Sequence, residues 1–278
     1  MNVLCKIRTL QLSSLKAYFL LFSLLFSTIF LFSQSDFGRN TKIIDKIRGE
    51  EITVDRFGNI YIIQESILYK CNMEGALLYT YSNFLLGSIS TVDVDNSMKI
   101  MLYYQESATL LFLDDRLAPI SEPINLMDRN FTSLSLATYS ANNQICIYDF
   151  VNMDLIFLDM YFKPISKTHY NFPNFRPTQL MEMPGKMFAM HNPNDGLYLF
   201  DSFGTYIKKI GVVSDSKLQI SNNIIYYLKE GKLHAFNYQE LKDNVIDLKQ
   251  DNIKQCVVYR NNIILLNQKG EVIIREVK

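Results

Sequence analysis

Tryptophan is absent from the chain, histidine occurs three times and cysteine four times in 278 residues. Cys5 precedes the amino-terminal apolar run with no small residues leading into it, which argues against a lipid-anchored cysteine. The other three, Cys71, Cys146 and Cys256, are odd in number and form no Cys-x-x-Cys pair. A disulfide framework, a zinc site or a thioredoxin-type pair needs spacings that are missing, so these thiols are expected to be free and buried. There is no Gly-x-Ser-x-Gly elbow, and no Ser/His/Asp order stands out. Asp93-x-Asp95-Asn96 resembles a calcium loop, but it lacks the glycine and the distal glutamate, and it reads as a turn.

Charge of one sign is also lacking, with 28 basic and 28 acidic residues. Lys6, Arg8 and Lys16 come before or at the edge of the apolar run Ala17–Phe32, and no acid occurs before Ser33. A basic start, an apolar centre and a small residue at Ser33 predict a secretory signal peptide over residues 1–33, cleaved to leave Gln34 at the amino terminus. The alternative is an uncleaved anchor, the one circumstance in which a membrane would be a partner. Cleavage would leave 25 basic and 28 acidic residues over 34–278. That balance argues against a nucleic-acid binder, which needs a basic surplus.

What the chain does have is a repeat. In Ile52–Ser82, four short apolar runs are separated by Asp, Gly, Asn and Ser, the punctuation of a four-stranded antiparallel sheet. The second strand of each unit is expected to start at Ile60, Ile100, Ile145, Met187, Ile224 and Ile263, at intervals of 40, 45, 42, 37 and 39 residues. A polar residue closes the third strand at Asn72, Asp114, Asp159, Asp201, Asn237 and Glu276, at intervals of 42, 45, 42, 36 and 39. The two landmarks drift together, which supports six units of about 40 residues and so an all-β, six-bladed β-propeller over 34–278. The sixth unit stops after its third strand. Thr41–Ile47 is the orphan expected to complete it, closing the ring and covering an edge.

Asp55–Ile62, read as Asp-x-x-Gly-Asn-Ile-Tyr-Ile, and Asp201–Gly211 resemble six-bladed propellers of the NHL and TolB-like type. The lack of tryptophan sets the chain apart from the Trp-Asp repeat type. The resemblance implies a fold common among exported bacterial proteins. It carries no function with it, because such propellers serve as scaffolds, binders and occasional hydrolases.

The candidate site residues lie in the connections. Asn83-Phe84, Asn130-Phe131 and Asn174-Phe175 follow units one, two and three, with Arg129 and Arg176 beside the second and third phenylalanines. An arginine beside an aromatic can hold a carboxylate or a planar group, although each phenylalanine could instead wedge between blades as core. Gln64, Gln105 and His191 are expected in turns on the same face. His169, His191 and His234 fall at different radii of the disc, so no shared metal is expected, and no cofactor is assigned. Asn130-Phe131-Thr132 is a glycosylation sequon.

The expected function is an exported, non-catalytic propeller that binds a protein or small ligand of the cell envelope on one face of the disc. The alternative is a hydrolase or lyase with carboxylates at the channel mouth. Because no sorting segment follows the last unit, the periplasm is expected ahead of release to the outside or anchoring in the inner membrane.

Overall fold

The computed structural model describes residues 41–131, 133–140, 142–214 and 216–277. Residues 1–33, read as a signal peptide, and the sequon's Thr132 lie outside them. Within the described residues, no helix is long and apolar enough to cross a membrane.

Among the described residues, twenty-four strands form six antiparallel four-stranded sheets. Blade one is β2 (Glu51–Val54), β3 (Ile60–Gln64), β4 (Ile67–Cys71) and β5 (Leu77–Ser82). Blade two is β6 (Thr91–Asp93), β7 (Ile100–Tyr104), β8 (Thr109–Leu113) and β9 (Ile124–Asn125). Blade three is β10 (Leu134–Tyr139), β11 (Ile145–Asp149), β12 (Asp154–Leu158) and β13 (Pro164–His169). Blade four is β14 (Gln179–Met183), β15 (Met187–Asn192), β16 (Gly196–Phe200) and β17 (Tyr206–Ile210). Blade five is β18 (Gln219–Ser221), β19 (Ile224–Lys229), β20 (Lys232–Asn237) and β21 (Lys242–Ile246). Blade six takes β22 (Ile253–Tyr259), β23 (Asn262–Asn267) and β24 (Val272–Glu276) from the carboxyl end, and β1 (Thr41–Ile44) from the other end of the chain.

β1 pairs with β24 from Thr41↔Arg275 to Ile44↔Val272, so the expected closure is present. The strand is three residues shorter than Thr41–Ile47, although Ile47 remains buried in the same core cluster as Ile44. β23 begins at Asn262, one residue before the expected Ile263.

The middle strands are continuously apolar because both of their faces are covered. Every residue of β7, β8, β11, β12 and β16 is buried. Six core clusters fill the gaps, each shared by two neighbouring blades: Tyr61 and Leu68 meet Val92 and Ile100, for example, and Phe157 meets Phe188. No blade has a core of its own, which is why one repeat cannot stand alone.

The turn from strand three to strand four is set by one polar side chain. Asp159 Oδ1 accepts the N–H groups of Tyr161 (2.8 Å) and Lys163 (2.9 Å), and Asp114 and Asp201 repeat this two-bond cap. Blade two departs from the pattern. Pro119 and Pro123 cannot donate to a ladder, and its outer strand shrinks to the two residues of β9 plus a bridge from Leu113 to Pro119.

Candidate functional site

The six first strands line a central channel. Each begins at the face bearing the connections between blades, here the connection face, and ends at the opposite one. Three of them carry a glutamine whose amide closes a two-bond clamp on the next blade. Gln179 donates to Leu218 O and accepts from its N–H, both at 2.8 Å. Gln219 does the same with Val258 (2.9 and 2.6 Å), and Gln255 with Ile52 (2.8 and 2.9 Å). Between blades two and three, Asp93 takes this part, accepting from the Thr138 hydroxyl (2.7 Å) and the Tyr139 N–H (2.9 Å). Between blades three and four, the Ser140 hydroxyl donates to Glu182 (2.9 Å).

At the connection face, Lys217 reaches from the start of blade five to Glu51 of blade one (2.6 Å), and its ammonium also lies 3.4 Å from Ser90 O. This ion pair spans the mouth and leaves a channel cavity of about 150 Å³. Roughly 300–1,000 Å³ is usual for a small-molecule site, so the channel suits water or an ion better than a substrate.

Near the other end, Asp93, Asp95 and Glu182 come together along the channel. Asp95 is exposed to the channel and not packed in its wall. Confinement away from bulk water, followed by the negative charges of Asp93 and Glu182, nonetheless pushes its carboxyl up to about 7. Burial also raises Asp93, against the lowering effect of its bonds from Tyr139, Thr138 and Asp95. The folded state therefore binds more protons than the unfolded chain between about pH 4 and pH 7. Stability is fully present below the unfolded carboxylate range and declines as pH rises through 7. Asp95→Asn should flatten that decline, so a melting-temperature series from pH 5 to 8 should show the variant gaining on the parent as pH rises. A constant offset at every pH would remove Asp95 as its source.

Among the described residues, no group of three or more His, Cys, Asp or Glu side chains is arranged to hold a metal ion. Cys71, Cys146 and Cys256 are free and buried.

The residues singled out in the connections do not converge. Arg129 Nη1 donates to Tyr161 O (3.3 Å), with its guanidinium 4.7 Å from the centre of the Phe162 ring, at the turn of the next blade. Arg176 lies 5.6 Å from the Phe150 ring centre. Phe175 is a wedge, 3% exposed and edge-on to Tyr198 at 4.6 Å, and Phe131 is half-buried against the cluster between blades two and three. Phe84 is 74% exposed and wedges nothing. Gln64 accepts from the Tyr69 hydroxyl (3.4 Å), and the Gln105 N–H donates to Ser90 Oγ (3.0 Å).

His191 lies within β15 and not in the following turn, and it is fully buried. Burial, partly offset by the Val212 backbone, lowers its pKa to about 4 and keeps it neutral at pH 7. It cannot serve as a surface ligand. Sequence reasoning missed the glutamine clamps and the Asp93–Asp95–Glu182 convergence. Gln179, Gln219 and Gln255 recur at intervals of 40 and 36, close to the drift of the strand landmarks, and that was a readable signal. Asp93 and Asp95 were visible as a pair and read as a turn, but Glu182 comes from blade four and nothing local pointed to its joining them.

No family model and no curated protein matches the chain. Similarity appears among solved structures. Virginiamycin B lyase from Staphylococcus aureus aligns with a TM-score of 0.61 at 9% identity, over 87% of this chain and 100% of the lyase. BamB from Moraxella catarrhalis aligns at 0.55 and 11%, over 86% and 99%. BBS1N, solved in complex with ARL6DN, aligns at 0.53 and 12%, over 82% and 77%. At such identities the likeness concerns the propeller fold, which serves a lyase and a protein-binding domain alike.

Proposed function

We propose that the chain is an exported, non-catalytic propeller of the NHL- or TolB-like kind that binds a protein partner on its connection face. The observation that carries this reading is apolar exposure on that face. Phe84 is 74% exposed and Leu85 96%, in the connection after blade one, and Val151 is 70% exposed in a turn of blade three. Large side chains kept in water at connection tips are characteristic of partner surfaces. A neighbour in fold solved in complex with ARL6DN supports a protein as the ligand. Export rests on residues 1–33, with cleavage after Ser33 and the periplasm as destination.

A hydrolase or lyase is the second reading, favoured by the three converging carboxylates and an Asp95 near neutrality. The small cavity and the Lys217–Glu51 bar across the mouth weigh against it.

Phe84→Ser combined with Leu85→Ser should leave the melting temperature within about 1–2 °C, since exposed positions contribute little to stability. The same double variant should lose the partner recovered by the parent from its own envelope fraction, whereas Asp95→Asn should keep it. Undiminished capture by the double variant would sink the connection-face assignment.

A further inference from the structure

The outer strand of every blade presents a row of unpaired N–H and C=O groups unless something blunts it. Five of the six outer strands described here are blunted. β1 carries Lys42, β13 carries Pro164 and Lys167, β17 carries Lys208 and Lys209, and β21 carries Lys242 and Asp243. β9 is two residues long beside prolines. β5 has neither charge nor proline and is not short, and its one irregularity is a bulge at Leu78, which leaves Tyr79–Ser82 a regular edge. It reads Leu-Leu-Tyr-Thr-Tyr-Ser over six residues, without charge or proline, and Leu77, Leu78 and Tyr79 are 53%, 42% and 39% exposed.

The geometry of β5 suits pairing with another strand. The Asn83 N–H donates to Ser66 O (3.4 Å), so by the alternation of an antiparallel ladder Tyr81 and Tyr79 face β4. Thr80 and Ser82 then turn their N–H and C=O groups outward, while Leu78 is the extra residue of the bulge between Tyr79 and Leu77. Among the described residues, no strand pairs with that edge. Nor does blade two crowd it, because the stunted β9 leaves a groove of about 570 Å³, lined by Tyr81, Asn83 and Pro119–Pro123.

We infer that β5 is a self-association edge, on which a second copy of this chain adds its own β5 antiparallel to form a continuous eight-stranded sheet. The strand is compatible with itself. A two-fold axis at Thr80 sets Thr80 opposite Thr80 of the copy, where the pair exchanges both hydrogen bonds, and brings Ser82 against the bulge at Leu78. Cross-strand threonine pairs are favourable, and no charge meets its like across the axis. On β17, the same operation would bring lysines together. The contact is small, at the low end of specific interfaces, so dimerisation should depend on concentration.

The test is sedimentation equilibrium on residues 34–278, the closed ring, with melting curves on every variant. The parent should form a dimer. Thr80→Pro removes only an outward N–H, and Thr80→Lys sets like charges directly opposite each other on the axis. Each should weaken the dimer about tenfold or more without shifting the melt. Ile207→Lys, on the already charged edge of blade four, should leave it unchanged. A parent that stays monomeric at the highest soluble concentration, or a dimer indifferent to both β5 variants, would overturn the proposal. Slow amide exchange at Thr80 and Ser82 in a monomer would overturn it as well, by giving the edge to another segment.

Discussion

A chain lacking residues 34–48 will aggregate instead of giving a soluble ring with the parent's melting temperature. The deletion removes β1, so β24 is left as a bare apolar edge, and Ile44 and Ile47 vanish from the cluster that joins blades six and one. Losing a buried isoleucine costs roughly 2–5 kcal/mol, so the pair accounts for about 4–10 kcal/mol before any ladder hydrogen bond is counted. That is comparable to the entire stability of a typical domain, about 5–15 kcal/mol. Size-exclusion chromatography with a far-ultraviolet melt decides the matter. A soluble truncated protein melting at the parent temperature would falsify the closure.

Gln255→Leu should cost about 2–6 kcal/mol, read as a shifted midpoint in urea. Gln255 is buried, and the residue it clamps, Ile52, is fully buried. The substitution leaves both the N–H and the C=O of Ile52 without the amide, and each buried orphan costs roughly 1–3 kcal/mol. Gln219→Leu should cost less, because Val258 is only half-buried and water can reach what the amide releases. Equal and small losses at both sites would mean that channel water replaces the clamps, and that neighbouring blades are held by their apolar clusters alone.

The strands that could be read from the sequence are those buried on both faces. Ile100–Tyr104 and Leu155–Leu158 are unbroken apolar runs because blades press on them from either side, and the Asx residues that end the third strands must be polar to hold their turns. Outer strands, with one edge in water, left a weaker trace, and β9 all but vanished. The three Asn-Phe pairs show where pattern fails. Asn130 and Asn174 adopt left-handed backbone, at φ 68° and 55°, and the phenylalanine that follows each turns inward. Asn83 instead accepts the Leu85 N–H on its side chain (3.0 Å), and Phe84 points to solvent. One dipeptide has two outcomes, and the backbone torsion that separates them is set by residues beyond the pair. The meeting of Asp93, Asp95 and Glu182 was hidden for another reason: it depends on how far the disc turns between blades two and four, a rotation no local window contains.

Pairing Thr41 with Arg275 also fixes an order of events. β1 waits for β24, more than two hundred residues further along the chain. Blades one to five can stack as they are made, but blade six stays incomplete until β24 has been made. The closing step spans more than two hundred residues of sequence, the kind of long-range contact that slows folding. Until then the chain is an arc with two unfinished ends.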